Sequence, residues 1–174
     1  MLLKYSGKLL AAVLLSAIVS SCASGAMIPN MTVQPMPKAN FGKYKESIQV
    51  SDITGGEETS PLWKSKVSNG NFMEALKASL NSNSLLNQEK PKYKLSANLL
   101  ELSQPFIGLD MEVGAKVSYV LKDAQSDKVV LDKTIQNSFT ATMSDAFIAI
   151  ERLRIANEGA IKGNIEQFIN YLKK

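Results

Sequence analysis

Alternation governs the second half of the chain. Met111, Val113, Ala115, Val117, Tyr119 and Leu121 take every second position, against Glu112, Gly114, Lys116, Ser118 and Lys122. A period of two puts the two sets on opposite faces of a β-strand, one buried and one wet. Tyr93, Leu95, Ala97 and Leu99 alternate in the same way with Lys92, Lys94, Ser96 and Asn98. A further strand is predicted with Val129, Leu131, Ile135 and Phe139 inward and Asp132, Thr134, Gln136 and Ser138 outward. The stretch DAQSDK at 123–128 is the turn between these last two strands. A shorter strand over 46–53 carries Ile48 and Val50 and ends at Gly55-Gly56.

Two other segments change period. Phe72, Leu76, Leu80 and then Leu85 or Leu86 recur at three to five, which predicts a helix over 71–85 with Asn69 or Asn71 as its N-cap. Ile150, Leu153, Asn157, Ala160 or Ile161, Ile165, Phe168 and Leu172 predict a long helix over 145–172, begun by Ser144 or Asp145. Gly159 and Gly163 sit four apart inside it, at a cost of about 1 kcal/mol each relative to Ala. A close approach of helix to sheet accounts for them. A membrane-dimer motif does not, because Glu158, Lys162 and Glu166 surround them. The order is therefore β-α-β-β-β-α. It predicts an α+β two-layer sandwich, with two helices on one face of a four-stranded, mainly antiparallel sheet. The first strand reaches the second through a helix, which allows a parallel pairing.

The first 45 residues fit neither period. Lys4 and Lys8 precede an apolar run from Leu9 to Val19, then Ser20, Ser21 and Cys22. A positive start followed by a short apolar core has secretory-leader architecture, and the core is short of the ~20 residues that span a bilayer. Val19-Ser20-Ser21-Cys22 resembles the bacterial lipobox. That resemblance implies cleavage before Cys22, with residues 1–21 as signal peptide, and attachment of acyl chains to the cysteine. Ala23, in place of aspartate, implies sorting to the outer membrane, with the domain on its periplasmic face. The alternative is an unlipidated secreted protein cut after Ala26. Residues 22–45 hold Pro29, Pro35 and Pro37 and read as a lipidated tether to a single domain over 46–174. Met27, Met31 and Met36 offer the other course, packing back onto the domain.

Composition narrows the chemistry. Of 174 residues, 45% are hydrophobic and 21% charged, which suits a globular chain. Net charge is +4 and falls to about +2 without the two leader lysines, too mild for nucleic acid, and arginine occurs only at 152 and 154. There is no histidine and only one cysteine. The commonest general base, the usual zinc nitrogen and any internal disulfide are therefore missing. No cofactor or metal is expected, and no catalytic residue.

Three groups are candidate sites. Phe106, Ile107 and Leu109 make the connection QPFIGLD unusually apolar, either as an exposed patch for a partner or acyl chain or as packed strand ends with a bulge near Gly108. Arg152 and Arg154 are candidates for holding a phosphate or carboxylate. Their spacing from Glu151 and Glu158 also fits ion pairs along the helix, which is the favoured reading. Asp110 and Glu112 share a strand face, as any i, i+2 pair does, and no second acidic cluster supports glycosidase chemistry. Trp63, the only tryptophan, is expected to cap the core edge.

The stretches QPFIGLDMEV (104–113) and SDAFIAIERLRIANEGAIKGNIEQFI (144–169) resemble a family of small bacterial lipoproteins, over about 69–172. Members sometimes carry the name UDP-N-acetylglucosamine acyltransferase. Acyltransferases of that name are β-helices with hexapeptide repeats and a histidine base, and this chain has neither. In element order the chain is also similar to lipoproteins of lipopolysaccharide assembly and of lipid-transport ABC systems. The expectation is a non-enzymatic, membrane-anchored module that binds an envelope protein or a lipid-like molecule; the alternatives are an envelope enzyme, a transferase or hydrolase working with carboxylates and a lysine, and a purely structural envelope lipoprotein.

Overall fold

A computed structural model describes residues 24–60, 65–105 and 108–174. Its elements follow the predicted order: β1 (Ile48–Thr54), α2 (Asn69–Ser82), β2 (Tyr93–Ser103), β3 (Met111–Asp123), β4 (Val129–Ala141) and α3 (Ala149–Tyr171), preceded by a one-turn helix α1 (Ile28–Met31). The sheet runs β1-β2-β3-β4. β1 pairs parallel to β2, and the other two pairings are antiparallel, so the sheet is mixed.

β3 is the spine of the core, with all six inward positions from Met111 to Leu121 buried. Tyr119 stacks on Phe168 of α3, ring centroids 4.3 Å apart, and donates its hydroxyl to Asn164 Oδ1 at 3.0 Å. Burial pushes the Tyr119 phenol far above its usual range. Asn164 Nδ2 in turn donates to the carbonyls of Ala115 and Ile135, 3.0 Å each. A fully buried asparagine thus ties α3 to two strands and leaves none of these polar groups unpaired.

β4 departs from its predicted pattern. Ile135 is buried and Leu131 half-buried, but Val129 is 54% exposed. The pairing slips between Leu121/Leu131 and Lys122/Val129, so Val130 is an extra residue, and Val129 shares the outward phase of Lys122. Phe139 keeps the inner face, opposite Val113, yet stays 40% exposed at the sheet edge. Its ring lies against Gly159, and Asn137 lies against Gly163: a Cβ on either glycine would collide with those side chains. The close approach predicted from the two glycines is present, made to β4.

Helix ends also move. Ser68, not an asparagine, caps α2, its hydroxyl accepting from Asn71 N–H at 3.2 Å. Asn69 Oδ1 instead accepts from Gly56 N–H, and Asn71 Nδ2 donates to the Ala26 carbonyl. α3 begins four residues late because Asp145 folds back, its carboxylate accepting from Thr142 N–H at 2.7 Å and Thr142 Oγ1 at 3.0 Å. Those bonds hold the Asp145 carboxyl below the usual range.

Residues 24–45 take the docked course. Ala26, Met31, Val33 and Phe41 are buried in the core, Met36 packs against it and Met27 stays exposed. α1 touches both α2 and α3. Val33 N–H donates to Ser79 Oγ at 2.9 Å, Met36 N–H to Asn83 Oδ1 at 2.9 Å, and Ser82 Oγ to the Val33 carbonyl at 2.9 Å. The segment is a strap that runs the length of the helical layer and closes its seam.

Candidate functional site

The β-sheet has two unlike ends. β2 and β1 finish, and β3 begins, at the end where the β2–β3 and β4–α3 connections lie; the register pairing Met111 with Ala141 puts Leu109 and Met143 just beyond the ladder there. α3 starts at this end. So does the described strap: Ser24 offers its carbonyl to Ser65 Oγ at 2.9 Å, and Ala26 N–H donates to the Lys66 carbonyl at 3.1 Å.

A buried polar knot holds these parts together. The Ser65 carbonyl accepts from Gln104 Nε2 at 2.8 Å and from Asn157 Nδ2 at 2.9 Å, while Gln104 Nε2 also donates to Asn157 Oδ1 at 2.7 Å. The β1–α2 loop, the end of β2 and α3 are thereby fixed to the strap's first residues. Sequence periodicity places Asn157 inward but gives no sign of Ser65 or Gln104 as its partners. The available signal is that two asparagines, 157 and 164, occupy one apolar stripe seven residues apart, where only fully bonded amides are tolerated.

The arginine candidates are absorbed by the fold. Arg152, 4% exposed, donates from Nη1 to the carbonyls of Ala146 and Phe147, 2.8 Å each. Arg154 Nη1 donates to Glu158 Oε1 at 2.8 Å, the predicted i, i+4 pair. That pair is buried rather than solvated: Glu158 is 3% exposed and also accepts from Met27 N–H and Asn30 Nδ2, both at 2.8 Å. Neither guanidinium is presented as an anion site. Arg152 acts on the connection before α3, and Arg154 and Glu158 hold the strap. Glu151 is exposed on the first turn.

What this end offers to the outside is apolar. Phe147 is 83% exposed, Leu109 73%, Ile148 51% and Met143 45%. Of the predicted patch, Leu109 is placed by the structure, while Phe106 and Ile107 lie outside the described residues, as do Cys22 and Trp63. Met143, Phe147 and Ile148 are the part that periodicity missed, because Phe147 and Ile148 read as the first turn of α3 and Met143 falls between it and β4. Asp110, Glu112, Asp145 and Glu151 are also exposed near these apolar positions, with Asp110 and Glu112 as ordinary surface carboxylates. Among the described residues no cluster of acidic side chains or cysteine is arranged to hold a metal, and no helix is long and apolar enough to cross a membrane.

The opposite end is basic. An open groove of about 470 Å³ runs beside Met36 and Pro37, edged by Lys38, Lys173 and Lys174.

No protein-family model and no curated protein matches the chain. Solved structures do. Protein XCC0632 of Xanthomonas campestris, of family DUF330, superposes with a TM-score of 0.57 at 10% identity, over 80% of this chain and 90% of that one. A Caulobacter crescentus protein described as a candidate lipoprotein gives 0.52 at 18% identity, over 73% and 88%. PelC of Paraburkholderia phytofirmans, a dodecamer, gives 0.53 at 14% identity, over 78% and 92%. At these identities the likeness is one of fold, and it extends to the helix-on-sheet arrangement of whole domains.

Proposed function

We propose that this chain is a lipid-anchored lipoprotein of the outer membrane's periplasmic face, acting without catalysis as a binding module for an envelope protein or a lipid-like ligand. The observation that carries it is the seating of the strap. Ser24 and Ala26 are bonded into the domain, two and four residues after Cys22. A cysteine so placed holds the whole module against whatever its sulfur is attached to. One acyl chain gives only marginal membrane binding, and two or three make attachment effectively permanent. The likeness in fold to structures that include a candidate lipoprotein agrees with this.

The non-enzymatic part rests on what the buried polar groups already do. Arg152 holds the connection before α3, Arg154 is paired with Glu158 within the helix, and Glu158, Asn157, Asn164 and Tyr119 each hold one part of the fold to another. A residue so engaged is a poor candidate for proton transfer. Radiolabelled palmitate should enter the native chain and not Cys22→Ala. Equal labelling of both would remove the anchor. Density-gradient fractionation should put the native chain with outer membranes and Ala23→Asp with inner membranes, and no shift would refute the sorting assignment.

A further inference from the structure

The two most exposed apolar side chains, Phe147 and Leu109, lie with Met143 and Ile148 at the end of the molecule where the described strap begins. We propose that Leu109, Met143, Phe147 and Ile148 form a tip that enters the lipid surface beside the anchor, so that the module stands on the bilayer through its own side chains as well as through Cys22. The proposal deepens the lipoprotein assignment and rests on it.

Chain length decides the occupant. Ser24 is held to Ser65, and two residues of extended backbone reach about 7 Å to the Cys22 Cα, with about 3 Å more along the side chain to its sulfur. An acylated sulfur lies at the bilayer surface. The end bearing Ser24 must then lie within about the same distance of it, comparable to the ~5–10 Å depth at which amphipathic surfaces sit in the headgroup boundary. A protein partner would have to fit into that gap. The bilayer is already there.

The tip is built to project. Arg152 grips the carbonyls of Ala146 and Phe147, so the backbone under the most exposed aromatic ring is fixed from the buried side. With its backbone so fixed, the ring has only its two side-chain torsions to lose on entering an interface. Among the described residues, the exposed charges flanking these apolar positions in sequence are acidic, Asp110, Glu112, Asp145 and Glu151, and Lys66 at the same end is paired with Glu57. Entry is therefore driven by apolar burial and not by attraction to anionic lipid, which separates it from a polybasic membrane contact.

The test uses the full lipidated chain in phosphatidylethanolamine/phosphatidylcholine vesicles. Acylation occupies the only native sulfur able to react with a thiol dye, so Phe147→Cys carries an environment-sensitive fluorophore at the tip, and Gln125→Cys carries it on the turn at the far end. Spin-labelled acyl chains should remove most of the emission at 147 and leave that at 125 intact. Adding Leu109→Ser with Ile148→Ser should restore emission at 147, and anionic lipid should not deepen the quenching. If mass spectrometry finds Cys22 acylated and the chain floats with vesicles, yet 147 is quenched no more than 125, the tip is overturned while the lipoprotein assignment stands, and the patch passes to a protein partner. An unmodified Cys22 overturns both together. Quenching that appears only with anionic lipid also overturns it.

Discussion

Removing the carboxylate of Glu158 strands three donors at once: the Arg154 guanidinium, the Met27 amide and the Asn30 side chain. Breaking a buried pair from one side costs about 3–5 kcal/mol, because the remaining charge stays desolvated. Glu158→Ala should therefore lower stability by about 3 kcal/mol in urea titration. Glu158→Gln, which keeps the volume and one acceptor, should cost visibly less. Release of the strap should accompany the loss, seen as faster proteolytic cutting within 24–37. Little of this was legible. The i, i+4 spacing announces a pairing of Arg154 with Glu158, but a surface pair and a buried one look identical in sequence. What distinguishes them is the strap, which contributes two of the three donors from about 130 residues away.

Among the elements, α3 and β4 test each other through one contact. Gly159→Ala adds up to about 1 kcal/mol of helix propensity but forces the new methyl into the Phe139 ring, and overpacking costs about 1–3 kcal/mol. The single variant should be destabilised. In a Phe139→Ala background the same change should stabilise, and a double-mutant cycle reads the coupling directly. The glycine spacing revealed that a close approach existed. It did not reveal the partner, because Phe139 belongs to an edge strand whose alternation is interrupted at Val130. The strap was the harder element to read. Three prolines and no period give extended chain as the natural inference, and only tertiary contact turns Ile28–Met31 into a helix. Met31→Ala should cost about 3 kcal/mol, as for other fully buried large side chains, where an open tether would give none. The two turns respond to acid. Asp145 is held below its normal range by Thr142, and Asp123 by Ser126. A depressed carboxyl contributes stability above its unfolded pKa of about 3.9, lost as pH falls towards the folded value. Asp145→Asn should therefore show a shallower fall in Tm below about pH 4 than the native chain.

At the scale of the whole molecule, fold class and element order follow from periodicity, while the parallel pairing of β1 with β2 is only allowed by the helical connection and is fixed by the structure. The asymmetry of the two ends does not follow from periodicity. Exposed Phe147 and Ile148 sit where the helix was expected to have begun, and the distal lysines gather from the strap and the last turn of the chain. The seam between α2 and α3 is closed by the strap, which begins just downstream of the cleavage point proposed above. A leader peptidase needs that neighbourhood as slack, extended polypeptide, whereas the finished domain needs it buried. On the lipoprotein reading proposed above, cleavage before Cys22 and completion of the core would draw on adjoining stretches of chain, since Ser24 and Ala26 are already bonded into the domain.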